Sequence, residues 1–222
     1  MNDLNLQIAP ERTPANGFAY KDVIDEICGW NWLQLSNENL IDVAWAYYYF
    51  SIQFRECLEI ARRLYPDDVN LLELDNGERD TDNLSPWPGV AETGERMNHD
   101  EFMRRTLQLT NVAVTRQQHL QNVGRTYLAK SRMLDETTKA LALASYEDGG
   151  LEKVFRAILT ARNWDGPVLQ AFRHFLTEHI KFDSDPEKGH GALCRHLPPD
   201  DRILPLWTTF REMLLEAVPS FG

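Results

Sequence analysis

A long and largely apolar helical segment constrains the fold of this chain more than any other feature. Ser36 or Asn37 can cap its start, and Pro66 ends it because proline cannot continue a helix. Apolar side chains recur at helical spacing on more than one face of the segment, at Ile41, Ala44, Trp45, Tyr48, Tyr49, Ile52, Phe54, Leu58 and Ala61. A helix that is apolar on several sides is buried among other helices, so this segment predicts a helical bundle with a central helix.

The rest of the chain repeats the helical period and shows no alternation typical of β-strands. Helices are predicted over 20–28, 102–109, 114–133, 135–147, 151–162, 168–183 and 201–218. We therefore expect an all-α protein of seven or eight helices around one core. Residues 1–18 hold two prolines and no periodicity, so they are predicted to form an N-terminal arm on a single domain that spans 19–222.

Residues 75–89 form the longest stretch without a helical pattern, and they are rich in turn-forming residues. Ordered loops of this length often act as lids or binding segments, although some are surface connections. Both interpretations of the loop are open at this point.

Charge and cysteine content exclude several classes of protein. The formal net charge of −11 disfavours nucleic-acid partners, because phosphate binding depends on lysine and arginine. The three cysteines are too few and too scattered for a disulfide framework, which indicates a reducing compartment. The longest apolar run, 43–50, is far shorter than the roughly 20 residues that span a bilayer, and the start lacks a leader pattern. We expect a cytoplasmic protein with no membrane partner.

Candidate metal ligands occur near the end of the helix predicted over 168–183. His179 and Asp183 are four residues apart, so their side chains leave one helical face about one turn apart. His190 follows seven residues later, near two turns, although Pro186 interrupts the helix before it. A solvated charge cluster at a helix end is the alternative interpretation.

Further candidates lie on other segments, as a metal site inside a helical bundle requires. Glu92 and His99 are seven residues apart, and Glu147 ends an apolar helix, where an unpaired carboxylate would be costly to bury. With His179, Asp183 and His190 these residues give three imidazoles and three carboxylates. That donor set suits two irons, or iron with manganese.

The order of these residues resembles that of the heme-oxygenase-like dimetal oxidases, including the members that form para-aminobenzoate. The resemblance covers residues 45–215 and is carried by Glu92-x6-His99, Tyr146-Glu147 and the run from Phe175 through His179 to Asp183, followed by a further histidine. It implies a heme-oxygenase-like bundle with six metal ligands, namely Glu92, His99, Glu147, His179, Asp183 and His190. The family usually places the last histidine closer to the aspartate, so His196 is the alternative to His190.

The resemblance also implies a function. We expect a non-heme oxidase or oxygenase that uses dioxygen and an external electron donor to oxidise a small amine, amino acid or fatty acid. Tyr48 and Tyr49 are the catalytic candidates, as side chains to be oxidised or to pass electrons. Two alternatives are a thiamin-salvage type of hydrolase of the same fold with Cys57 as nucleophile, and a binding protein without metal. A homodimer is left open.

Overall fold

The computed structural model describes residues 18–79, 86–183 and 189–221, and in these residues the chain is an all-α bundle. The helices are α1 (Ala19–Cys28), α2 (Asn37–Leu64), α3 (Val69–Gly77), α4 (His99–Leu107), α5 (Val114–Arg132), α6 (Glu136–Ser145), α7 (Leu151–Ile158), α8 (Pro167–Asp183), α9 (His190–Cys194) and α10 (Leu204–Ala217). The predicted fold class is therefore confirmed. The predicted N-terminal arm lies almost entirely outside the described residues.

Helix α2 is the centre of the bundle, as its apolar pattern predicts. Ser36 caps its start by accepting a hydrogen bond from the backbone N–H of Asn39 at 3.2 Å. The helix then runs for 28 residues and contacts α4, α5, α6, α8 and α10. Leu40, Trp45 and Ala46, which point to three different sides of the helix, are all buried. The neighbouring helices cover the apolar sides of α2 and so form the single core.

Two regions differ from the sequence prediction, and both affect the site. Helix α3 extends to Gly77, so the predicted loop 75–89 begins within a helix. Helix α8 ends at Asp183, and His190 begins a separate short helix, α9, with Gly189 at the N-cap. An isolated bridge pairs Trp87 with Ala91. Residues 80–85 of the predicted lid lie outside the described residues.

The ends of several helices meet on one side of α2. Helix α9 contacts both α3 and α8, and it also contacts the break between α6 and α7. Helix α4 begins near α8. This arrangement brings residues from distant parts of the sequence to one buried place. None of the helices in the described ranges combines the length and the apolar character that crossing a bilayer requires.

Candidate metal centre

Five buried acid and imidazole side chains meet where these helix ends converge. Glu78 follows the last residue of α3, His99 begins α4, and Glu147 lies in the break after α6. His179 lies within α8, and His190 begins α9. Each of the five is at most 8% exposed. Charged and polar side chains are rarely buried together without partners or a bound ion, so this cluster requires an explanation.

Glu78 is the centre of the cluster, because its two carboxylate oxygens face different imidazoles. Oε2 lies 2.8 Å from His99 Nδ1, and Oε1 lies 2.9 Å from His190 Nδ1. Glu147 also approaches His190, with its Oε2 3.4 Å from the same Nδ1 atom. One ligand atom each from Glu78, Glu147 and His190 lies within 4.8 Å of the others. Three donors are therefore close enough to share one cation.

His179 lies beside His99 in a largely aromatic setting. Their ring centroids are 4.5 Å apart, and the His179 ring also contacts Phe175 at 4.4 Å and Phe155 at 5.7 Å. Within the described residues, His99 Nε2 and His179 Nδ1 are buried and neither makes a hydrogen bond of good geometry, although the backbone of Phe175 lies close to the His179 ring. Buried polar atoms are nearly always paired, so these two nitrogens indicate that the cluster is incomplete without a further group.

Burial and mutual attraction shift the ionisation of these groups in opposite directions. Burial opposes the charge on Glu78, but His99 and His190 outweigh it and hold the pKa of Glu78 well below its usual value. Burial likewise disfavours the charged form of His190, yet Glu78 and Glu147 raise the pKa of that imidazole well above its usual value. Without a cation, the cluster is therefore held together by an ion pair between Glu78 and His190.

Burial shifts the ionisation of Glu147 and His179 towards their neutral forms. Burial raises the pKa of Glu147, and the neighbouring His190 offsets part of this effect. Burial lowers the pKa of His179 well below its usual value, and the nearby imidazole of His99 lowers it further. A neutral imidazole has a lone pair available for a metal, so His179 is already in its ligating form at neutral pH.

The backbone presents Glu147 and His190 through two local features. Tyr146–Gly150 forms a single turn of π-helix, within which Asp148 leaves helical geometry at φ −86°, ψ 55°. Turns of this kind are frequent at functional sites. Gly191 lies against this turn: a Cβ there would be 2.8 Å from the carbonyl oxygen of Glu147. Glycine at 191 therefore allows α9 to place His190 beside Glu147.

The space at the cluster is small. A cavity of about 10 Å³ lies between the cluster and helix α2, which is room for about one water molecule. Its walls are formed by Tyr47, Phe50, Ser51, Phe54, Glu78, His99, Glu147, Leu151 and His179. This cavity admits only a group of about the size of one water molecule, and an organic molecule does not fit in it.

The structure brings together four of the residues that the sequence analysis proposed, namely His99, Glu147, His179 and His190. Glu92 is not among them, because it is exposed while every member of the cluster is buried. The seven-residue spacing suggested two helical turns, but residues 92–98 are not helical and α4 starts only at His99. Asp183 ends α8 one turn after His179, and its side chain lies outside the described part of the chain.

The predicted tyrosines and the alternative histidine lie elsewhere. Tyr47 lines the small cavity, whereas Tyr48 and Tyr49 line a separate one. Successive helical residues point about 100° apart, so only one of three consecutive tyrosines can face the cluster. His196 is partly exposed and lies 2.5 Å from a carboxylate oxygen of Asp68. The placement of Tyr48, Tyr49 and His196 therefore gives them no contact with the five clustered residues.

Glu78 is the member of the cluster that the sequence analysis missed. It follows Leu71 by seven residues and Leu74 by four, and both leucines are fully buried. Glu78 thus continues the buried stripe of α3 by one more turn. The turn formers after Leu74 concealed this signal, because Asp75, Asn76 and Gly77 indicated a loop.

Cys57, the proposed alternative nucleophile, lies away from the cluster in the core. Its thiol accepts a hydrogen bond from Gln53 Nε2 at 2.8 Å. Burial raises the pKa of Cys57 to about 12. A nucleophilic cysteine needs a stabilised thiolate, so this environment is typical of an inert core cysteine.

Comparison with known proteins does not assign the chain to a family. No protein-family model matches the sequence, and neither a curated protein nor a solved structure shows significant similarity. The functional interpretation therefore rests on the geometry of the five clustered residues.

Proposed function

We propose that the chain is a non-heme dimetal oxidase that uses dioxygen to oxidise a small substrate such as an amine, amino acid or fatty acid. The observation that carries this proposal is the position of the Glu78 carboxylate between two imidazoles, with one oxygen directed to each. A carboxylate in this position can bridge two cations. Nitrogen and oxygen donors in this combination suit iron, or iron with manganese.

The distances within the cluster are compatible with metal binding. Metal bonds of about 2.1 Å at right angles separate neighbouring donor atoms by about 3 Å. The contacts from Glu78 to His99 and His190, at 2.8 and 2.9 Å, agree with this separation. The buried, unpaired Nδ1 of His179 supplies a further nitrogen donor. These two distances also suit hydrogen bonds, so the buried nitrogens without partners are what favours a metal centre over a closed hydrogen-bond network.

Each residue has a role in this proposal. Glu78 and His99 would hold one ion with His179 nearby, and Glu78, Glu147 and His190 would hold the second. Two iron ions, when bound, would supply the electrons that activate dioxygen, and an external donor would restore them. Phe50, Phe54 and Leu151 line the remaining space and exclude bulk water from it.

Iron content tests the proposal directly, with two glutamates as a matched pair. Protein produced in iron-supplemented cells should contain about two metal ions per chain, by the ligand count above. Glu78→Gln should lose most of this metal, because it removes the charge of the bridging group. Glu92→Gln, at an exposed position, should retain it.

Oxygen uptake in the presence of a reductant separates an oxidase from a simple metal-binding protein. The unmodified protein and Glu92→Gln should consume oxygen, and Glu78→Gln should not. Protein without metal in all three forms would contradict the proposal and favour a buried ion-pair network. Metal-loaded protein that consumes no oxygen with any candidate substrate would overturn the oxidase assignment alone.

A further inference from the structure

A second cavity, of about 410 Å³, opens on another side of α2. It lies between α2, the start of α5 and the connection from α4 to α5. We call it the α2–α5 cavity; its walls include Trp45, Tyr48, Tyr49, Gln117, Gln121 and Arg125. Its volume falls in the usual range for small-molecule sites, unlike the small space at the cluster. Tyr47 faces the cluster and the next two tyrosines face this cavity, so α2 separates the two sites.

Helix α2 provides an aromatic wall. Trp45, Tyr48 and Tyr49 are spaced three and four residues apart, so they share one helical face. The Trp45 and Tyr48 rings lie 6.4 Å apart edge to face, and the two tyrosine rings lie 5.1 Å apart. Tyr49 packs against Gly124 of α5, where an added Cβ would lie only 2.0 Å from the phenol ring. The wall is therefore fixed in place by close contact with α5.

Helix α5 provides a polar wall opposite these rings. Gln117, Gln121 and Arg125 follow one another at four-residue intervals and lie on one stripe of the helix. Arg125 has no ion-pair partner among the described residues, although acidic residues outnumber basic ones, 34 to 23, in the whole chain. The other guanidinium at the cavity, Arg104, is already bound to Glu101 at 2.6 Å. Arg125 is therefore available to bind an anion.

A buried donor also lacks a partner at this place. Trp45 is 8% exposed, and its indole N–H is buried without an acceptor among the described residues. Buried donors are normally satisfied, so an acceptor from a ligand is the expected partner. The cavity thus combines aromatic faces, one unsatisfied N–H and one unpaired guanidinium.

We propose that the α2–α5 cavity binds a small aromatic carboxylate. The carboxylate would pair with Arg125 through two parallel hydrogen bonds, as guanidinium groups favour. The ring would pack against Tyr48 and Tyr49, and an oxygen of the ligand would accept the Trp45 N–H. This proposal does not depend on the metal centre, since the cavity lies across α2 from it.

Benzoate is the probe that tests the proposal, with benzyl alcohol as its uncharged counterpart. Benzoate should bind in isothermal titration calorimetry and should shift the Trp45 indole N–H signal in an NMR spectrum, assigned with Trp45→Phe. Arg125→Gln should weaken benzoate binding by about tenfold or more, because a charged hydrogen-bonded pair is lost. Benzyl alcohol should bind the unmodified protein about as weakly as benzoate binds the Arg125→Gln variant.

Arg162→Gln is the matched control. Arg162 is also exposed and without an ion-pair partner among the described residues, but it lines a different cavity. This variant should bind benzoate within about twofold of the unmodified protein. The proposal is overturned if benzoate leaves the Trp45 signal unchanged, or if Arg125→Gln and Arg162→Gln bind it equally well. Metal-free protein should give the same result, which separates this test from that of the oxidase.

Discussion

Two groups of buried polar side chains in the interior differ in how completely their polar atoms are paired. In the first, which we call the core network, Tyr127 donates to Gln53 Oε1 at 3.0 Å, and Gln53 Nε2 donates to the thiol of Cys57. In the second, the buried cluster of Glu78, His99, Glu147, His179 and His190, nitrogens of His99 and His179 have no hydrogen-bond partner among the described residues. In the core network both ends of the Gln53 amide make hydrogen bonds. In the buried cluster the two histidines with unpaired ring nitrogens both line the small cavity beside α2.

The two groups also differ in the regularity of the backbone that carries them. Gln53, Cys57 and Tyr127 lie within the uninterrupted helices α2 and α5. Glu78, Glu147 and His190 lie at a helix end, a π-turn and a helix start. A polar group within a regular helix can be fixed by its neighbours alone. Groups collected from helix ends need something common to hold them, which in our proposal is a pair of metal ions.

Among the substitutions considered, Gly191→Ala is expected to change stability and metal affinity the most. The added Cβ would lie 2.8 Å from the Glu147 carbonyl oxygen and 3.2 Å from Asp148 Cα, so α9 has to move away. We expect a loss of about 1–3 kcal/mol in the free energy of unfolding of the metal-free protein. Metal affinity should fall by about 10- to 100-fold, because His190 moves with α9. Urea unfolding and metal titration measure the two effects.

Gly29→Ala is the control for this prediction. Gly29 follows α1 with φ −80°, and an added Cβ would meet the Asp25 carbonyl oxygen at 3.3 Å, a milder approach far from the cluster in sequence. This variant should keep its metal affinity. If Gly191→Ala binds metal as tightly as Gly29→Ala does, His190 is not a ligand.

Gln53→Leu should affect the core network without affecting the buried cluster. It leaves the buried Tyr127 hydroxyl without its acceptor, which should cost about 1–3 kcal/mol in the free energy of unfolding. Adding Tyr127→Phe removes the stranded hydroxyl and should restore much of that loss. Metal content should stay the same in both variants. A loss of metal in Gln53→Leu would show that the two groups are coupled and would break the contrast.

The fold was largely predictable because it depends on local periodicity. The apolar pattern of α2, its Ser36 cap and Pro66 define the central helix, and the structure confirms them. Periodicity is a property of neighbouring residues and can be read along the chain. Only short elements escaped it, such as the five-residue helix that begins at His190.

The site was only partly predictable because it depends on contacts between distant segments. Glu147 stood out as a carboxylate on an apolar helix, which is a local anomaly. Glu92 and Glu78 could not be distinguished by spacing, because the choice depends on whether residues 92–98 are helical and on how α3 packs against α9. The buried stripe from Leu71 to Glu78 was the one available signal that Glu78 is the carboxylate that joins the buried cluster.

The smallest expected effect concerns Glu101, an acid bound by arginines near the surface rather than by imidazoles in the interior. Its carboxylate accepts hydrogen bonds from Arg104 at 2.6 and 2.7 Å and from Arg105 at 2.9 Å. These contacts, led by those from Arg104, lower the pKa of Glu101 to about 2. A lowered pKa favours folding above the unfolded value of about 4.5, and this contribution is lost as the pH falls towards 2.

Glu101→Gln should therefore unfold with a shallower loss of stability between about pH 4.5 and pH 2 than the unmodified protein. Its side chain is 33% exposed, so solvent screening limits the difference to about 1 kcal/mol or less. Glu73→Gln, at an exposed position without an ion pair among the described residues, should follow the unmodified protein. Urea midpoints of metal-free protein across this pH range provide the measurement. If Glu101→Gln loses stability as steeply as the unmodified protein does, the arginine pair adds nothing, and only the buried acids control the acid stability of the fold.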